Sequence, residues 1–202
     1  MIDYISVFIF FFAVIDPIGT VPVFIAVTAA HDDRAKRKIA MIATLVAAGI
    51  LVFFVVAGEV ILTAMDIPLP AFQIAGGIIL FLFAISMIFG ESKPEQEVKL
   101  IKNVSETAIF PLAIPSIASP GAMLAAVLFT ENAKYTIFEQ FQVTVTLLVV
   151  LLVVLALMLG ASFIHRIIGN SGASVISRVM GLILASVATA NALEGIKLYF
   201  GL

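Results

Sequence analysis

The sequence is short of the residues on which many kinds of protein chemistry depend. Its 202 residues include no cysteine, which excludes disulfide bonds, thiolate zinc sites and cysteine nucleophiles. The two histidines, His31 and His165, lie far apart in the chain and argue against a histidine-based metal site. Only 11 residues are Lys or Arg and the net charge is -2, so no basic face exists for a nucleic acid.

Apolar residues are what the chain has in excess. Hydrophobic residues make up 62% of it and charged residues 12%, against about 45–50% and 25% in soluble domains. The mean hydropathy is +1.22, far above that of a protein with a water-facing surface. This composition excludes a soluble globular enzyme. It predicts an integral membrane protein in which residues 1–202 form a single domain within the lipid bilayer.

Six stretches of the chain are long and apolar enough to cross a membrane, which takes about 20 mostly apolar residues. The apolar runs of the second and fifth stretches are unbroken, whereas the strands of a β-barrel alternate apolar and polar residues over about ten positions. We therefore predict an all-α fold with six transmembrane helices, separated by polar stretches such as 31–38 and 165–172. Spans 1 to 6 cover residues 4–27, 39–62, 71–90, 107–130, 138–163 and 177–200.

Basic residues are distributed unevenly between the two sides of this arrangement. Nine of the eleven follow spans 1, 3 or 5, and only Lys134 and Lys197 lie on the other side. The positive-inside rule places the three basic loops in the cytoplasm and both termini outside it. The linker at 91–106 is expected either to form a short helix on the cytoplasmic membrane surface or to be a solvated connection.

The chain resembles itself at an offset of 102 to 104 residues. The matching pairs are Asp16-Pro17 with Ser119-Pro120, Gly58 with Gly160, and residues 77–80 with 181–184. Repeat 1 then covers about 1–90 and repeat 2 about 107–202. Each repeat has an odd number of spans, so the second repeat enters the membrane from the opposite face. Such inverted repeats are typical of secondary transporters, although duplicated helices also occur in channels and scaffolds.

Helix-interrupting residues lie near the centres of two spans: Asp16, Pro17, Gly19 and Pro22 in span 1, and Pro111, Pro115, Pro120 and Gly121 in span 4. Irregular backbone at that depth is tolerated only beside protein or a watery cavity, so both helices are predicted to be broken at the midplane. Asp16 and Ser119 are good N-cap residues, and the proline after each suits the first position of a new half-helix. The N-terminal, positive dipole ends of the two half-helices then converge.

The two converging helix ends predict a binding site for a small zwitterion such as an amino acid. Free N–H groups and positive dipole ends suit a carboxylate, and Asp16 offers the opposite charge for an ammonium group, a sodium ion or a proton. The alternative is that Asp16 only caps its half-helix. The predicted substrate-binding residues are Asp16, Gly19, Thr20, Ser119 and Gly121, and the residues that only shape the breaks are Pro17, Pro22, Pro111, Pro115 and Pro120.

A path for a coupling ion or proton is predicted from the few polar residues of the spans. Its candidate residues are Asp16, Glu59, Asn191 and Glu194. Glu59 alternatively lies close enough to the interface to reach water. Asn191 can instead hydrogen-bond another helix, and Glu194 can pair with Lys197. We expect no metal site and no organic cofactor, and coupling to sodium or to protons stays open.

Three motifs are specific enough to suggest a family. They are DPIGTVPVF at 16–24, PLAIPSIASPG at 111–121 and NALEGI at 191–196. They resemble the signatures of the MarC family of bacterial and archaeal membrane proteins, over essentially the whole chain. Ser119 departs from the family pattern, where glycine is expected. The resemblance implies an inner-membrane protein with a fold akin to LysE-type exporters, grouped with transporters of glycine, alanine, serine and similar small neutral amino acids.

These features predict a secondary transporter of small neutral amino acids. An exporter of another small metabolite would use the same machinery. A channel is disfavoured because spans 2 and 5 show almost no polar face, and an intramembrane enzyme because the central Asp has no second catalytic group beside it. The chain is not expected to be an enzyme, and association into homo-oligomers stays open.

Overall fold

The structure, a computed structural model, describes residues 3–89 and 104–201. Within these ranges the regular elements are helices. In chain order they are α1 (Tyr4–Ile15), α2 (Pro17–Thr28), α3 (Asp33–Ala64), α4 (Leu69–Phe89), α5 (Val104–Thr107), an irregular segment (Ala108–Ile117), α6 (Pro120–Leu128), α7 (Ile137–Leu159) and α8 (Ala161–Phe200). Most of the linker predicted at 91–106, and therefore its surface helix, lies outside the described residues.

The prediction of an all-helical, multi-pass membrane protein is confirmed. Five helical stretches of the described chain are long and apolar enough to cross a bilayer. A sixth is obtained if Val104–Ile117 and Pro120–Leu128, which are bent by 57°, count as one span. Composition alone identifies these stretches because a helix that satisfies its own backbone hydrogen bonds is the simplest way to cross hydrocarbon.

The prediction of a polar loop at 165–172 is wrong, because these residues belong to a kinked helix. Span 5 was expected to run to residue 163, but α7 ends at Leu159 with Gly160 as its C-cap, and α8 begins at Ala161. α8 continues through 165–172 with one non-helical residue, Gly169, at φ 64° and ψ 176°. Glycine adopts positive φ at little cost, so a single residue redirects the chain where a loop was expected.

The loops lie at two ends of the bundle, which we name after one residue each. At the Asp3 end, the start of α1 meets the loop between α6 and α7, since Asp3 and Lys134 line the same cavity. At the Lys36 end, the start of α3 meets the end of α7, since Lys36 and Met158 line another cavity. Connections at alternate ends are what repeated crossing of a bilayer requires.

Helices α4 and α8 pack closely along much of their length. A Cβ added to Gly77 would lie 2.9 Å from the carbonyl oxygen of Ala188. One added to Gly181 would lie 3.0 Å from the carbonyl oxygen of Ala84. Small residues therefore let the two backbones approach, which is the usual way in which transmembrane helices associate.

The remaining helices are packed around the middle of spans 1 and 4. α3 contacts the irregular segment and α6, and α7 contacts α1 and α2. α2 also packs on α8, and α6 packs on α4. The buried core between them is apolar and includes Phe11, Leu51, Leu112, Leu147 and Leu184. This packing buries the two places where the chain changes helix, Asp16 and Ser119.

Candidate functional site

The first junction is Asp16, the single residue between the end of α1 and the start of α2. Asp16 has φ 48° and ψ 68°, the left-handed conformation that Asp tolerates better than most residues. Its carboxylate accepts a hydrogen bond from the Gly19 N–H at 2.9 Å and thereby caps α2. The residue is only 4% exposed. A buried carboxylate is therefore held at the N-terminus of α2.

One glycine and two prolines give the first junction its shape. A Cβ on Gly19 would collide with the Asp16 carboxylate, so the cap requires glycine there. Pro17 takes the first position of α2, where a missing N–H costs little. Pro22 lies inside α2 and has no N–H to donate within the helix. Gly19 thus serves the cap, and the prolines set the path of the backbone.

The second junction is formed by Ala118 and Ser119, between the irregular segment and α6. Ser119 has φ -72° and ψ 158°, an ordinary N-cap conformation, and Pro120 takes the first position of α6. The Ser119 hydroxyl accepts from the Ala122 N–H at 3.1 Å and donates to the Val14 carbonyl at 3.0 Å. Ser119 is fully buried. One hydroxyl thus caps α6 and joins it to the last turn of α1.

A second contact joins the same two regions through Thr20 of α2 and Ser116 of the irregular segment. The Thr20 hydroxyl donates to the Asp16 carbonyl at 3.0 Å and lies 3.2 Å from the Ser116 hydroxyl. At that distance the two hydroxyl groups form a hydrogen bond in which either oxygen can be the donor. Both residues are buried. The prediction from sequence missed Ser116, although its position three residues before Ser119 was an available signal.

The irregular segment takes its form from Pro111 and Pro115. The residues before them are extended, Phe110 at φ -127° and ψ 128° and Ile114 at φ -129° and ψ 128°. A proline ring disfavours the helical conformation of the residue that precedes it, which explains both positions. The first half of span 4 is therefore not a regular half-helix, in contrast to α1.

Gly121, the last of the predicted binding residues, packs against α4. A Cβ on Gly121 would collide with the Leu80 side chain and would lie 3.7 Å from the Val14 Cβ. Leu80 is itself fully buried. Gly121 is thus required for close packing of α6 beside α4, and it lies next to the junction contacts without forming one of the hydrogen bonds described above.

The structure brings together the predicted binding residues of spans 1 and 4. Asp16, Thr20 and Ser119, with the added Ser116, form a buried polar cluster of side chains from the two junctions. We call this set the junction cluster. Gly19 and Gly121 lie at its edges. Its side chains offer a carboxyl group and hydroxyl groups that can donate or accept, which are groups able to recognise a small polar molecule.

The other residues predicted for an ion or proton path lie outside the junction cluster. Glu59, in the last turns of α3, accepts a hydrogen bond from the Asn132 N–H at 2.8 Å and so holds the loop at the Asp3 end. On α8, Asn191 is half-buried and Glu194 is exposed. Among the described residues, no group of three or more His, Asp or Glu side chains is placed to hold a metal ion.

The loop at the Asp3 end is tied down by hydrogen bonds. The Gln140 side chain donates to the Asn132 side-chain oxygen at 3.0 Å and to the Tyr135 carbonyl at 3.1 Å. Burial raises the pKa of Glu131 in this loop, Lys134 opposes the rise, and the negative charge of Glu59 adds to it. This end of the bundle is thus closed by a polar, partly desolvated loop.

The fold and the junction cluster define a multi-pass integral membrane protein with a polar cluster enclosed between helices. Residues 1–200 match the family model described as MarC family integral membrane protein. The chain belongs to this family.

Relatives agree with this assignment. The chain is 32% identical over 197 residues to a UPF0056 membrane protein of Methanocaldococcus jannaschii, covering 96% of each chain. It is 33% identical over 198 residues to the UPF0056 membrane protein YhcE of Escherichia coli, covering 96% of this chain and 92% of the relative. A UPF0056 membrane protein of Aquifex aeolicus is 30% identical over 204 residues, covering 96% of this chain and 92% of the relative. No solved structure matches the chain.

Proposed function

We propose that this protein is a secondary transporter of small neutral amino acids of the glycine, alanine and serine class. The junction cluster is its binding site, and alternating access is coupled to a proton or sodium gradient. The observation that carries the proposal is the hydrogen bond from Ser119 to the Val14 carbonyl, because it brings the N-terminus of α6 against the residues beside Asp16.

The directions of α2 and α6 support an inverted repeat. α2 runs from the junction cluster toward the Lys36 end, where α3 begins. α6 runs from the cluster toward the Asp3 end, where the Thr130 hydroxyl, just after α6, lies 3.4 Å from the Val55 carbonyl of α3. The two N-termini therefore meet while the helices diverge. Two half-helices that meet in this way near the midplane are how several transporters hold a charged substrate.

The helix packing also supports an inverted repeat. In the two repeats α2 corresponds to α6, and α4 corresponds to α8. An inverted repeat therefore pairs the contact of α2 with α8 with a contact of α6 with α4, and both contacts occur. The packing of α3 against the second junction likewise has its counterpart in that of α7 against the first. Gly77 faces Ala188, while their counterparts Gly181 and Ala84 face each other. Such reciprocity is what a two-fold axis between repeats produces.

The chemistry of the cluster suits a zwitterion. The Asp16 carboxylate is the partner for the ammonium group, or for the coupling cation. The carboxylate of the substrate takes a hydrogen bond from the N-terminus of α6, where Ser119 now accepts from the Ala122 N–H. When the substrate carboxylate displaces the Ser119 oxygen, the Ala122 N–H donates to the substrate instead. The substrate side chain must be small because Leu80 packs directly against Gly121.

The basic residues support an orientation of the protein in the membrane. Arg34, Lys36, Arg37 and Lys38 lie at the Lys36 end, so the proposal places that end in the cytoplasm and both termini outside, in an inner membrane. The buried junction cluster then lies between the two sides and is reached from each in turn.

The experiment is counterflow in proteoliposomes. Vesicles loaded with unlabelled alanine or glycine are given the labelled amino acid outside, and accumulation is followed over time. Counterflow needs no assumed coupling ion. Asp16→Asn removes the charge but keeps a residue that caps helices and tolerates positive φ. Asp66→Asn is the matched control, because Asp66 also has positive φ, at 54°, but lies in the turn after α3.

Accumulation by the wild type and by Asp66→Asn, with loss in Asp16→Asn, is the expected result. Accumulation that survives Asp16→Asn overturns the role of Asp16 and leaves it as a cap. No accumulation of any small neutral amino acid by folded wild type rejects the substrate class, and an exporter of another small metabolite then becomes the better account.

A further inference from the structure

A cavity of about 200 Å³ lies at the Lys36 end, where four helices meet. It is lined by Phe24 near the end of α2, Asp33, Lys36 and Arg37 at the start of α3, Met158 and Leu159 at the end of α7, and Ser162 at the start of α8. The junction cluster contributes no residue to it. The cavity is therefore a feature separate from the proposed transport site.

The lining of this cavity is divided between polar and apolar side chains. Lys36, Arg37 and Ser162 offer an ammonium, a guanidinium and a hydroxyl, all of which bind phosphate oxygens. Asp33 contributes one negative charge, so the three charged side chains sum to one positive charge. That sum matches the single negative charge of a phosphodiester. Phe24, Met158 and Leu159 form the apolar part.

The cavity also lies where a spanning helix leaves the hydrocarbon. Lys36 and Arg37 come just before Ile39, the first fully buried apolar residue of α3, and Leu159 is the last residue of α7. A lipid headgroup at this level would meet the cations while its acyl chain ran beside the apolar side chains. Basic pockets between transmembrane helices at the cytoplasmic surface bind lipid headgroups in this way.

We infer that this cavity binds the phosphodiester of a membrane phospholipid. Lys36 and Arg37 hold the phosphate, and the side chains of Phe24, Met158 and Leu159 contact the start of an acyl chain. A soluble phosphate shares the headgroup chemistry but lacks the acyl chain and usually carries more charge. The bound lipid would join the start of α3 to the ends of α2 and α7 and stabilise the Lys36 end.

The test uses the purified full chain in a neutral detergent, titrated with phosphatidylglycerol. Lipid retention is measured by native mass spectrometry, and the midpoint of thermal unfolding is followed in parallel. Lys36→Gln is compared with Lys38→Gln, which removes the same charge two residues further along α3 and outside the cavity lining. Ser162→Leu fills the cavity without changing the charge. Inorganic phosphate and glycerol phosphate are the soluble probes.

We expect phosphatidylglycerol to raise the unfolding midpoint of the wild type and of Lys38→Gln. The apparent lipid affinity of Lys36→Gln should fall about tenfold or more, as for the loss of one charged hydrogen bond. Ser162→Leu should lose the effect as well. Equal loss in Lys36→Gln and Lys38→Gln would mean diffuse surface attraction and overturn the site. Equal stabilisation by the soluble phosphates would overturn the assignment to lipid.

Discussion

The two junctions solve the same structural problem with different residues. At each, a helix begins with a proline after an N-cap residue whose side chain accepts from an N–H three positions on. Ser119 does this with a neutral hydroxyl and an ordinary extended backbone. Asp16 does it with a buried carboxylate and a positive φ of 48°.

The difference between the junctions shows that capping alone does not require Asp16. Burying a carboxylate is costly, and a left-handed conformation outside glycine adds a smaller cost. The second junction obtains its cap, and a bond to Val14 as well, without either cost. A carboxyl group at position 16 is thus more than the cap of α2 requires. It is accordingly the feature on which the proposed function depends.

The largest expected effect comes from making the first junction chemically like the second. Asp16→Ser keeps an N-cap residue and removes the charge. We expect counterflow of alanine to fall about tenfold to a hundredfold, since a hydrogen bond to a charged group contributes about 1.5–3 kcal/mol. The protein should remain monodisperse by size exclusion. Normal counterflow in this variant would show that the two junctions are equivalent and that the charge has no role in transport.

The next largest effect, on stability, tests the close contact between Gly19 and the side chain of the N-cap residue Asp16. Gly19→Ala forces a methyl group against the Asp16 carboxylate, and overpacking of this kind costs about 1–3 kcal/mol. The free energy of unfolding in detergent measures it. Gly49→Ala is the matched control, because nothing lies within 4 Å of a Cβ at that helical position. Equal effects of the two substitutions would contradict the placement of the carboxylate over Gly19.

Ser119→Ala tests the hydrogen bonds of the second junction. It removes the cap of α6 and leaves the Val14 carbonyl without its hydroxyl donor, so we expect a loss of about 1–2 kcal/mol in the free energy of unfolding. Ser186→Ala serves as the control, since that hydroxyl is exposed and donates only to its own helix, at the Leu182 carbonyl. A Ser119→Ala protein as stable as the control would mean that the junctions are not joined through this residue.

The smallest expected effect is on thermal stability and concerns the C-terminal ends of α2 and α6. Thr28 and Thr130 each donate to a carbonyl four residues earlier, both at 2.6 Å, but only Thr130 is followed by an acidic residue, Glu131. Burial raises the pKa of Glu131 above its usual 4.5, so its ionised form is disfavoured in the folded protein.

The stability cost of Glu131 is therefore absent below pH 4.5 and develops as the pH rises through the raised pKa. Glu131→Gln should leave the unfolding midpoint unchanged near pH 4 and raise it slightly at pH 7. Thermal unfolding at the two pH values measures the difference. A variant that is less stable than the wild type at pH 7 would contradict this sign.

Much of the fold could be predicted from local features of the sequence. Apolar runs of about 20 residues identify spanning helices because hydrocarbon tolerates little else. The starts of α2 and α6 coincide with the pairs 16–17 and 119–120, because an N-cap residue followed by proline is a local signal. Asp16, Thr20 and Ser119 could be selected for the same reason, as polar residues beside these starts.

The features that could not be predicted depend mainly on contacts between distant parts of the chain. Ser116 belongs to the junction cluster only because Thr20, 96 residues away, lies beside it. Glu59 holds the loop at the Asp3 end because Asn132 is placed next to it. Gly169 replaces an expected loop by one residue of positive φ, and a glycine in sequence does not reveal whether it will do so.

The most direct test of the role of Asp16 is equilibrium binding of labelled alanine to the purified protein. This measurement separates substrate binding from transport. Wild type, Asp16→Asn and Asp66→Asn would be compared in detergent, each shown to be monodisperse. We expect saturable binding in the wild type and in Asp66→Asn, and binding at least about tenfold weaker in Asp16→Asn. Equal affinity in all three would contradict the claim that the charge of Asp16 holds the substrate.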